Sequence, residues 1–212
     1  MKKKKLAIGV SGSGSTFEAI VMASKGGALN LEILFVFADR DCKALSRAKQ
    51  LGIRAVVREE VESIDDFHSR VAAMLVEQSA DIVALAGYLR FFPVSEEDSY
   101  IVINSHPGAI PYFGGKGMYG IYVHEAVHRW LIATDWVHPY TYATVHVVTP
   151  EIDNGTILGI KRQRITKDMS PTDIAGRLLP VEHENYIQVL SELSRGQQNQ
   201  SSYPTEFLEL VG

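Results

Sequence analysis

Five short, strongly apolar runs alternate with helix-like segments over the first half of the chain, and this alternation restricts the fold more than any other feature of the sequence. Runs this apolar need cover on both faces, as the strands of a parallel sheet have. The segments between them have the apolar spacing of helices that connect such strands. We therefore predict an α/β fold with a doubly wound, mostly parallel, Rossmann-like sheet and strands at 6–10, 31–39, 53–59, 81–87 and 100–105.

The second half of the chain has a different pattern. Residues 121–134 have helical spacing, and two strand-like runs follow at 142–150 and 157–166. The turn-forming sequence "EIDNG", residues 151–155, joins these two runs. A short turn connects antiparallel neighbours, so we expect an antiparallel strand pair at the C-terminal side of the fold.

Two helices carry N-terminal capping signals. Ser63 with Asp66, and Ser170 with Asp173, have the spacing of an N-cap residue and its N3 partner. Pro180 lies inside the second of these helices and predicts a kink or a break there. Beyond this helix, the polar stretch "QQNQSSYPTEF", residues 197–207, is expected to form an exposed strap or to be disordered.

Charge and cysteine content narrow the class of protein. The 212 residues suit one domain, and the formal net charge of −4 argues against a general nucleic-acid binder, which would present a basic face. Cys42 is the only cysteine, which favours a reducing, cytoplasmic location. The apolar run 6–10 is too short for a signal peptide, and we expect no membrane-spanning segment.

Polar residues gather where the predicted strands end. In open parallel sheets, ligands bind at the carboxyl ends of the strands. Val10, Gly87 and Asn104 lie at such ends. We therefore expect the loops 11–15, 88–92 and 105–117 to face one cleft.

The loop "SGSGST", residues 11–16, is the first of these. A glycine-rich turn before a helix lets backbone N–H groups approach an anion, and the serine and threonine hydroxyls add donors. No lysine follows, and Phe17 stands where a dinucleotide fingerprint needs its last glycine. The loop favours a single phosphate monoester, with an ordinary strand-to-helix turn as the alternative.

The stretch "VINSHPG", residues 102–108, carries the chemistry of the third loop. Asn104 and His106 are two residues apart, so on an extended strand they project to one side. Pro107 holds His106 in an extended conformation. An amide beside an imidazole suits a carbonyl oxygen that gains charge in a transition state. The alternative is that Asn104 caps a turn and His106 packs against a loop.

Asp153, in the turn 151–155, is the third polar candidate. A carboxylate near His106 would orient the ring, stabilise its cation and raise its pKa. Simple turn chemistry is the alternative for an aspartate before Asn-Gly.

A competing motif is "HEAVH", residues 124–128, which is typical of zinc hydrolases. On a helix, His124 and His128 would lie on one face as metal ligands, with Glu125 as the base.

Four collinear motifs together resemble the folate-dependent formyltransferases, and among them the glycinamide ribonucleotide transformylase family, over about residues 5–190. They are "SGSGST" (11–16), "DIVALAGYLRFF" (81–92), "INSHPGAIP" (103–111) and "VHVVTPEIDNG" (145–155). "GGKGMYGIYVHEAV" (114–127) is similar to a loop and helix of part of that family. The resemblance implies one formyltransferase domain, 1–212, with a phosphate-binding half (1–105), a folate-binding and catalytic half (106–190) and a tail (191–212).

The resemblance also implies a reaction and a set of site residues. A formyl group would pass from 10-formyltetrahydrofolate, as co-substrate, to the amine of glycinamide ribonucleotide in purine synthesis, with no metal, in a cytoplasmic monomer or homodimer. The implied residues are Asn104, His106 and Asp153 for catalysis, Gly14, Ser15 and Thr16 for the substrate phosphate, Glu182 and Arg70 for the rest of that substrate, and Leu89, Arg90, Phe91 and Phe92 for folate.

The sequence departs from the family pattern in four places, of which the last two leave the amine substrate open. Thr16 replaces a usual asparagine, and Gly108 replaces a usual serine. The aromatic segment 134–142 and Pro180 are also unusual. The alternatives are a formyltransferase acting on a sugar-phosphate amine, a formyltetrahydrofolate deformylase and, more remotely, the zinc hydrolase.

Overall fold

The computed structural model describes residues 2–211, which form thirteen helices and strands. The chain divides into two compact units, one of residues through Asn104 together with Leu190–Gln197, the other of Ser105–Val189 together with the residues from Gln198 onward. The boundary expected from the sequence, between the halves 1–105 and 106–190, lies one residue after the observed one. Between residues 2 and 211, no helix is both long enough and apolar enough to cross a membrane.

The first unit contains a parallel sheet whose strands alternate with helices. Its elements are β1 Lys4–Val10, α1 Ser15–Lys25, β2 Leu31–Ala38, α2 Lys43–Leu51, β3 Ala55–Val57, α3 Ile64–Glu77, β4 Ile82–Leu85 and the first four residues of β5 Ile101–His106. The strand order is β3-β2-β1-β4-β5, and every pairing in this series is parallel. Order and direction both agree with the predicted doubly wound fold.

Burial explains why these apolar runs become central strands. The last five residues of β1 are all buried, and all four residues of β4 are buried. Side chains on both faces of each strand therefore leave water, and each fully buried aliphatic side chain contributes about 1.5–3 kcal/mol. Such strands can stand only in the middle of a covered sheet, which is where β1 and β4 lie.

The second unit carries the predicted antiparallel pair. Its elements are α4 Ile121–Ala133, β6 Tyr140–Val147, β7 Ile157–Arg164, most of α5 Pro171–Ser194, and α6 Thr205–Val211. β6 and β7 pair antiparallel from Tyr140 opposite Arg164 onward. The buried amide of Asn185 on α5 donates to Ala143 O at 3.0 Å and to Gly159 O at 3.1 Å, which ties the helix to both strands.

The two predicted N-caps are confirmed. The Ser63 hydroxyl accepts from the Asp66 N–H at 3.1 Å and donates to the Asp66 carboxylate at 2.7 Å. Ser170 and Asp173 make the same pair of contacts, at 3.2 and 2.6 Å. Each pair satisfies a backbone donor that the first helical turn leaves unpaired.

Pro180 causes no break in α5, and the expectation of a loose C-terminal tail was wrong. α5 runs unbroken through Pro180, which is exposed, so water can solvate the carbonyl that loses its helical partner. The tail is not a loose strap, because α6 forms within it and Tyr203 and Phe207 are only 5% and 1% exposed. Two aromatic side chains within a polar stretch therefore anchor the tail in the apolar cluster of the second unit.

Candidate active site

β5 ends on the histidine singled out from the sequence. In its last three residues, Asn104 and Ser105 are partly buried, whereas His106 is only 3% exposed. Asn104 and His106 are alternate residues of one strand, so they project to the same side of it. Both residues thus lie on one strand at the spacing noted in the sequence.

A backbone carbonyl decides where the His106 ring carries its proton. Nε2 lies 2.8 Å from Phe113 O, and a carbonyl can only accept, so Nε2 holds the hydrogen. The other nitrogen, Nδ1, lies 3.6 Å from Asp153 Oδ2. In the neutral ring Nδ1 is therefore the nitrogen able to accept a proton, and it faces a carboxylate.

Asp153 lies between two imidazoles. It occupies the turn between β6 and β7 with a φ of 52°, and its Oδ2 accepts from the Gly115 N–H at 2.9 Å. Its Oδ1 lies 3.6 Å from His146 Nε2. His146 Nδ1 donates to Val147 O at 2.9 Å, so this ring also turns its proton-accepting nitrogen toward Asp153. The sequence did not predict that His146 lies beside His106 and Asp153.

The net pKa of His106 lies below its ordinary value, although Asp153 acts on it in the predicted direction. Burial lowers the pKa of the imidazole, and this effect outweighs the opposing attraction of Asp153 and the Phe113 carbonyl. The carboxylate acts with the predicted sign but does not decide the net direction. Burial, with the nearby His106, also lowers the pKa of His124, to about 4. The site therefore holds neutral imidazoles at pH 7.

Gly108 is explained by its neighbours. A Cβ built at Gly108 would lie 2.7 Å from Val123 Cγ1 and 3.5 Å from His106 Nε2. Van der Waals contact needs more space than the first distance allows. The departure from the usual serine thus follows from the packing of α4 against the loop after β5.

The glycine-rich loop of the first unit leads directly into the N-terminus of α1. α1 begins at Ser15, with Gly14 as N-cap at a φ of 72°, and no side chain caps this end. The backbone N–H groups of Ser15, Thr16 and Phe17 precede the first intrahelical bond, which Glu18 N makes to Gly14 O at 2.9 Å. A helix N-terminus of this kind attracts a phosphate.

The loop after β4 contacts the glycine-rich loop within the same unit. The Leu89 N–H donates to Ser11 Oγ at 2.9 Å, and Ser11 N donates to Gly87 O at 3.1 Å. Leu89 and Phe91 are each 51% exposed, whereas Phe92 is buried against Phe37. The loop therefore offers apolar surface beside the helix N-terminus.

Arg90 is held by an ion pair. Its Nε lies 3.0 Å from the buried carboxylate of Asp39, which also accepts from Arg40. Burial alone would raise the pKa of Asp39, but hydrogen bonds from Arg40, Ser11 and Arg90 outweigh it and hold the pKa below its usual range. This carboxylate therefore stays ionised and fixes the Arg90 side chain.

The two remaining predicted residues lie in different surroundings. Arg70 contacts Glu62 through two nitrogens, at 2.8 and 2.7 Å, and donates to Val57 O, so its guanidinium is engaged within the first unit. In the second unit, burial raises the pKa of Glu182 to about 7, opposed by the Ser105 hydroxyl. Ser105 faces the other side of β5 from His106, and Glu182 with it.

The "HEAVH" segment does form a helix, as expected. His124 is buried, and His128 packs edge-on against Trp136 at 5.9 Å between ring centroids. Within residues 2–211, no group of three or more histidine, cysteine, aspartate or glutamate side chains is arranged to hold a metal ion. His124 lies beside His106 and not in a zinc cluster of its own.

Comparison with known proteins identifies the family. A profile of the formyl transferase family matches residues 4–190. This match covers most of the chain and includes the glycine-rich loop, β5 and the turn that carries Asp153. The chain belongs to the formyl transferase family, and its fold is the one predicted from the sequence.

Individual relatives agree with this assignment. The chloroplastic phosphoribosylglycinamide formyltransferase of Arabidopsis thaliana is 34% identical over 200 residues, which cover 91% of this chain and 66% of the plant protein. The phosphoribosylglycinamide formyltransferase of Haemophilus influenzae is 26% identical over 198 residues, which cover 88% of its length. The chain thus spans somewhat less than two thirds of the plant relative. The crystal structure of glycinamide ribonucleotide transformylase 1 from Geobacillus kaustophilus matches with a TM-score of 0.77 and 30% identity, covering 91% of this chain and 99% of that one.

Proposed function

We propose that this chain transfers a formyl group from 10-formyltetrahydrofolate to the amine of glycinamide ribonucleotide, a step of purine synthesis. The observation that carries the proposal is the pairing of His106 with Asp153 at the end of β5 in a member of the formyl transferase family. The names of the relatives support the choice of amine. We further propose a cytoplasmic enzyme, monomer or homodimer, that needs no metal.

In the proposed reaction, the amine of the substrate attacks the formyl carbon. A new C–N bond forms, and the formyl oxygen becomes an oxyanion near the Asn104 amide, which can donate to it. His106 Nδ1 takes the proton that the attacking nitrogen releases, since Nε2 already holds its hydrogen against Phe113 O. The cationic ring then stabilises the oxyanion, and Asp153 at 3.6 Å stabilises the cation.

Collapse of the tetrahedral intermediate completes the proposed transfer. The bond between the formyl carbon and the folate nitrogen breaks, and that nitrogen receives the proton from His106. Neither a covalent enzyme intermediate nor a redox step is needed. A neutral imidazole suits this cycle, because burial lowers the pKa of His106 and leaves Nδ1 ready to accept a proton at pH 7.

We assign substrate binding to the two loops of the first unit and to two further side chains. The phosphate would meet the N–H groups and hydroxyls at the start of α1, where Gly14, Ser15 and Thr16 lie. The pterin would contact the exposed apolar surface of Leu89 and Phe91, with Arg90 and Phe92 framing it. Glu182 and Arg70 remain proposed contacts for the rest of the amine substrate on the family resemblance alone, because Arg70 is engaged by Glu62 and Glu182 lies on the other side of β5 from His106.

One assay tests the function. The protein is mixed with glycinamide ribonucleotide and a 10-formyl folate, and deformylated folate is followed by absorbance, with and without EDTA. His106→Ala is compared with His128→Ala, a histidine-to-alanine change on α4. We expect amine-dependent turnover that survives EDTA and His128→Ala but is lost in His106→Ala.

Other outcomes would contradict the proposal. Folate turnover without the amine would indicate a deformylase. Turnover only with a different sugar-phosphate amine would identify a sibling transferase. Loss of activity with EDTA and also in His128→Ala would favour the zinc hydrolase, because that motif needs both a metal ion and His128 as its ligand.

A further inference from the structure

The loop that follows β5 is anchored by a tyrosine from the C-terminal segment. The Ile110 N–H donates to the Tyr203 hydroxyl at 2.8 Å, across 93 residues of chain. The same hydroxyl lies 2.7 Å from Thr144 Oγ1. Thr144 Oγ1 in turn donates to Gly108 O at 2.7 Å. Two backbone groups of the loop, on either side of Ala109, are thus held by two hydroxyls.

The donor and the acceptor of each hydrogen bond in the series from Ile110 through Tyr203 and Thr144 to Gly108 can be assigned. The Thr144 hydroxyl donates its only hydrogen to Gly108 O, so its oxygen must accept from the Tyr203 hydroxyl. Tyr203 donates its hydrogen there and accepts from the Ile110 N–H. Thr144 is fully buried, and Ile110 and Tyr203 are 2% and 5% exposed, so water cannot readily replace a missing partner.

The anchored loop presents the carbonyl that sets the state of His106. The Phe113 N–H donates to Ala109 O at 2.7 Å, which closes a turn on the anchored residues. Phe113 O then accepts from His106 Nε2 at 2.8 Å. Movement of residues 108–110 would therefore shift the acceptor that keeps the imidazole proton on Nε2.

We propose that Tyr203 is a positioning residue for His106, acting through the loop 108–113 to hold the ring in its Nε2–H tautomer. The consequence for catalysis rests on the proposed function, whereas the consequence for the tautomer does not. Without the Tyr203 hydroxyl, Ile110 N–H and Thr144 Oγ1 each lose a partner. The loop then gains freedom, and Nδ1–H becomes populated in the neutral ring. That tautomer cannot accept a proton at Nδ1.

The test compares two tyrosine hydroxyls of the same apolar cluster. Tyr203→Phe removes the hydroxyl that touches the loop. Tyr142→Phe is the control, because the Tyr142 ring packs against Tyr203 at 5.2 Å but its hydroxyl contacts His138 Nε2 at 2.6 Å. Both changes delete one buried oxygen and keep the ring.

Ring ¹⁵N chemical shifts of His106 give the tautomer without turnover, and steady-state kinetics with the amine and folate substrates give the effect on the reaction. In Tyr203→Phe we expect a measurable Nδ1–H population and a fall in kcat of about tenfold, with KM for the amine changed less than about twofold. In Tyr142→Phe we expect the wild-type tautomer and kcat. Thr144→Val should shift the tautomer in the same direction, and its effect should not add to that of Tyr203→Phe.

The readouts separate the two proposals. Unchanged ¹⁵N shifts in both Tyr203→Phe and Thr144→Val, with both proteins folded, would overturn the positioning role. An equal fall in kcat for Tyr142→Phe would also overturn it, since loss of general packing would then explain the effect. A shifted tautomer in an enzyme that shows no amine-dependent transfer would support the positioning role and reject the proposed function.

Discussion

Two buried imidazoles flank one carboxylate in the second unit, and backbone carbonyls decide where each ring holds its proton. Phe113 O holds the proton of His106 on Nε2, and Val147 O holds that of His146 on Nδ1. Both remaining nitrogens face Asp153 at 3.6 Å. A proton taken up by either ring is therefore placed beside a negative charge, which is the arrangement a proton carrier needs.

Asp153→Asn tests this electrostatic link. The carboxylate is the main charge that opposes the burial of His106, so its neutralisation should lower the pKa of His106 further below its ordinary value. NMR titration of the His106 ring protons measures the shift. Glu151→Gln, an exposed carboxylate of the same turn, should leave the titration unchanged; an equal shift there would indicate a general charge effect.

Asn104→Ala tests the proposed oxyanion donor. Loss of one such donor costs about 2.7–4 kcal/mol of transition-state stabilisation, so kcat should fall on the order of a hundredfold or more. The control is Asn30→Ala, an exposed asparagine just before β2. Near-normal kcat in Asn104→Ala would remove this residue from the proposed mechanism.

Among the secondary structure elements, the connection between β1 and α1 depends on one glycine. Gly14 has a positive φ, and a Cβ there would lie 2.5 Å from Ala44 Cβ on α2. Two requirements therefore coincide, a left-handed backbone and close approach of the next helix. Both serve to bring the N-terminus of α1 to the carboxyl end of β1.

A pair of glycine variants separates these requirements. Gly27 also has a positive φ, but nothing lies within 4 Å of its Cβ position. Gly27→Ala should cost about 1 kcal/mol for the backbone alone, whereas Gly14→Ala should cost about 2–4 kcal/mol because a clash is added. Urea unfolding measures both costs, and only Gly14→Ala should raise KM for a phosphate-bearing substrate. Equal costs would show that the α2 contact is unimportant.

The burial of histidines determines how the free energy of unfolding of the whole molecule changes as the pH falls. Six of the seven histidines have pKa values lowered by burial, namely His68, His106, His124, His138, His146 and His183. As pH falls below about 6.5, these imidazoles take up protons in the unfolded chain before they do so in the folded one. The unfolded state then binds more protons, so the free energy of unfolding falls.

Glu182 has the opposite effect on the free energy of unfolding as the pH falls. Its pKa of about 7 in the folded state means that the fold holds a proton between about pH 4.5 and 7 that the unfolded chain has lost. One carboxyl opposes six imidazoles, so we expect a net loss of stability between about pH 7.5 and 5. Urea midpoints at the two pH values measure it. The loss should be larger in Glu182→Gln, and stability that is constant or higher at pH 5 would contradict the expectation.

Much of the fold and part of the site follow from local sequence. The apolar runs determined the parallel strands, "EIDNG" determined the β6–β7 turn, and the serine–aspartate pairs determined two helix starts, because each signal acts within a few residues. Asn104 and His106 likewise lie two residues apart on one strand, as their spacing in the sequence indicated.

Only the tertiary structure decided how those residues behave. Burial lowers the pKa of His106 even though Asp153 acts to raise it. Arg70 forms a salt bridge with Glu62. The C-terminal tail packs into the apolar cluster of the second unit through Tyr203 and Phe207. Each of these depends on contacts between residues far apart along the chain, and on the exclusion of water that packing brings. Pattern and spacing determine which elements form, whereas charge state, tautomer and the choice of partner are determined by the assembled surroundings.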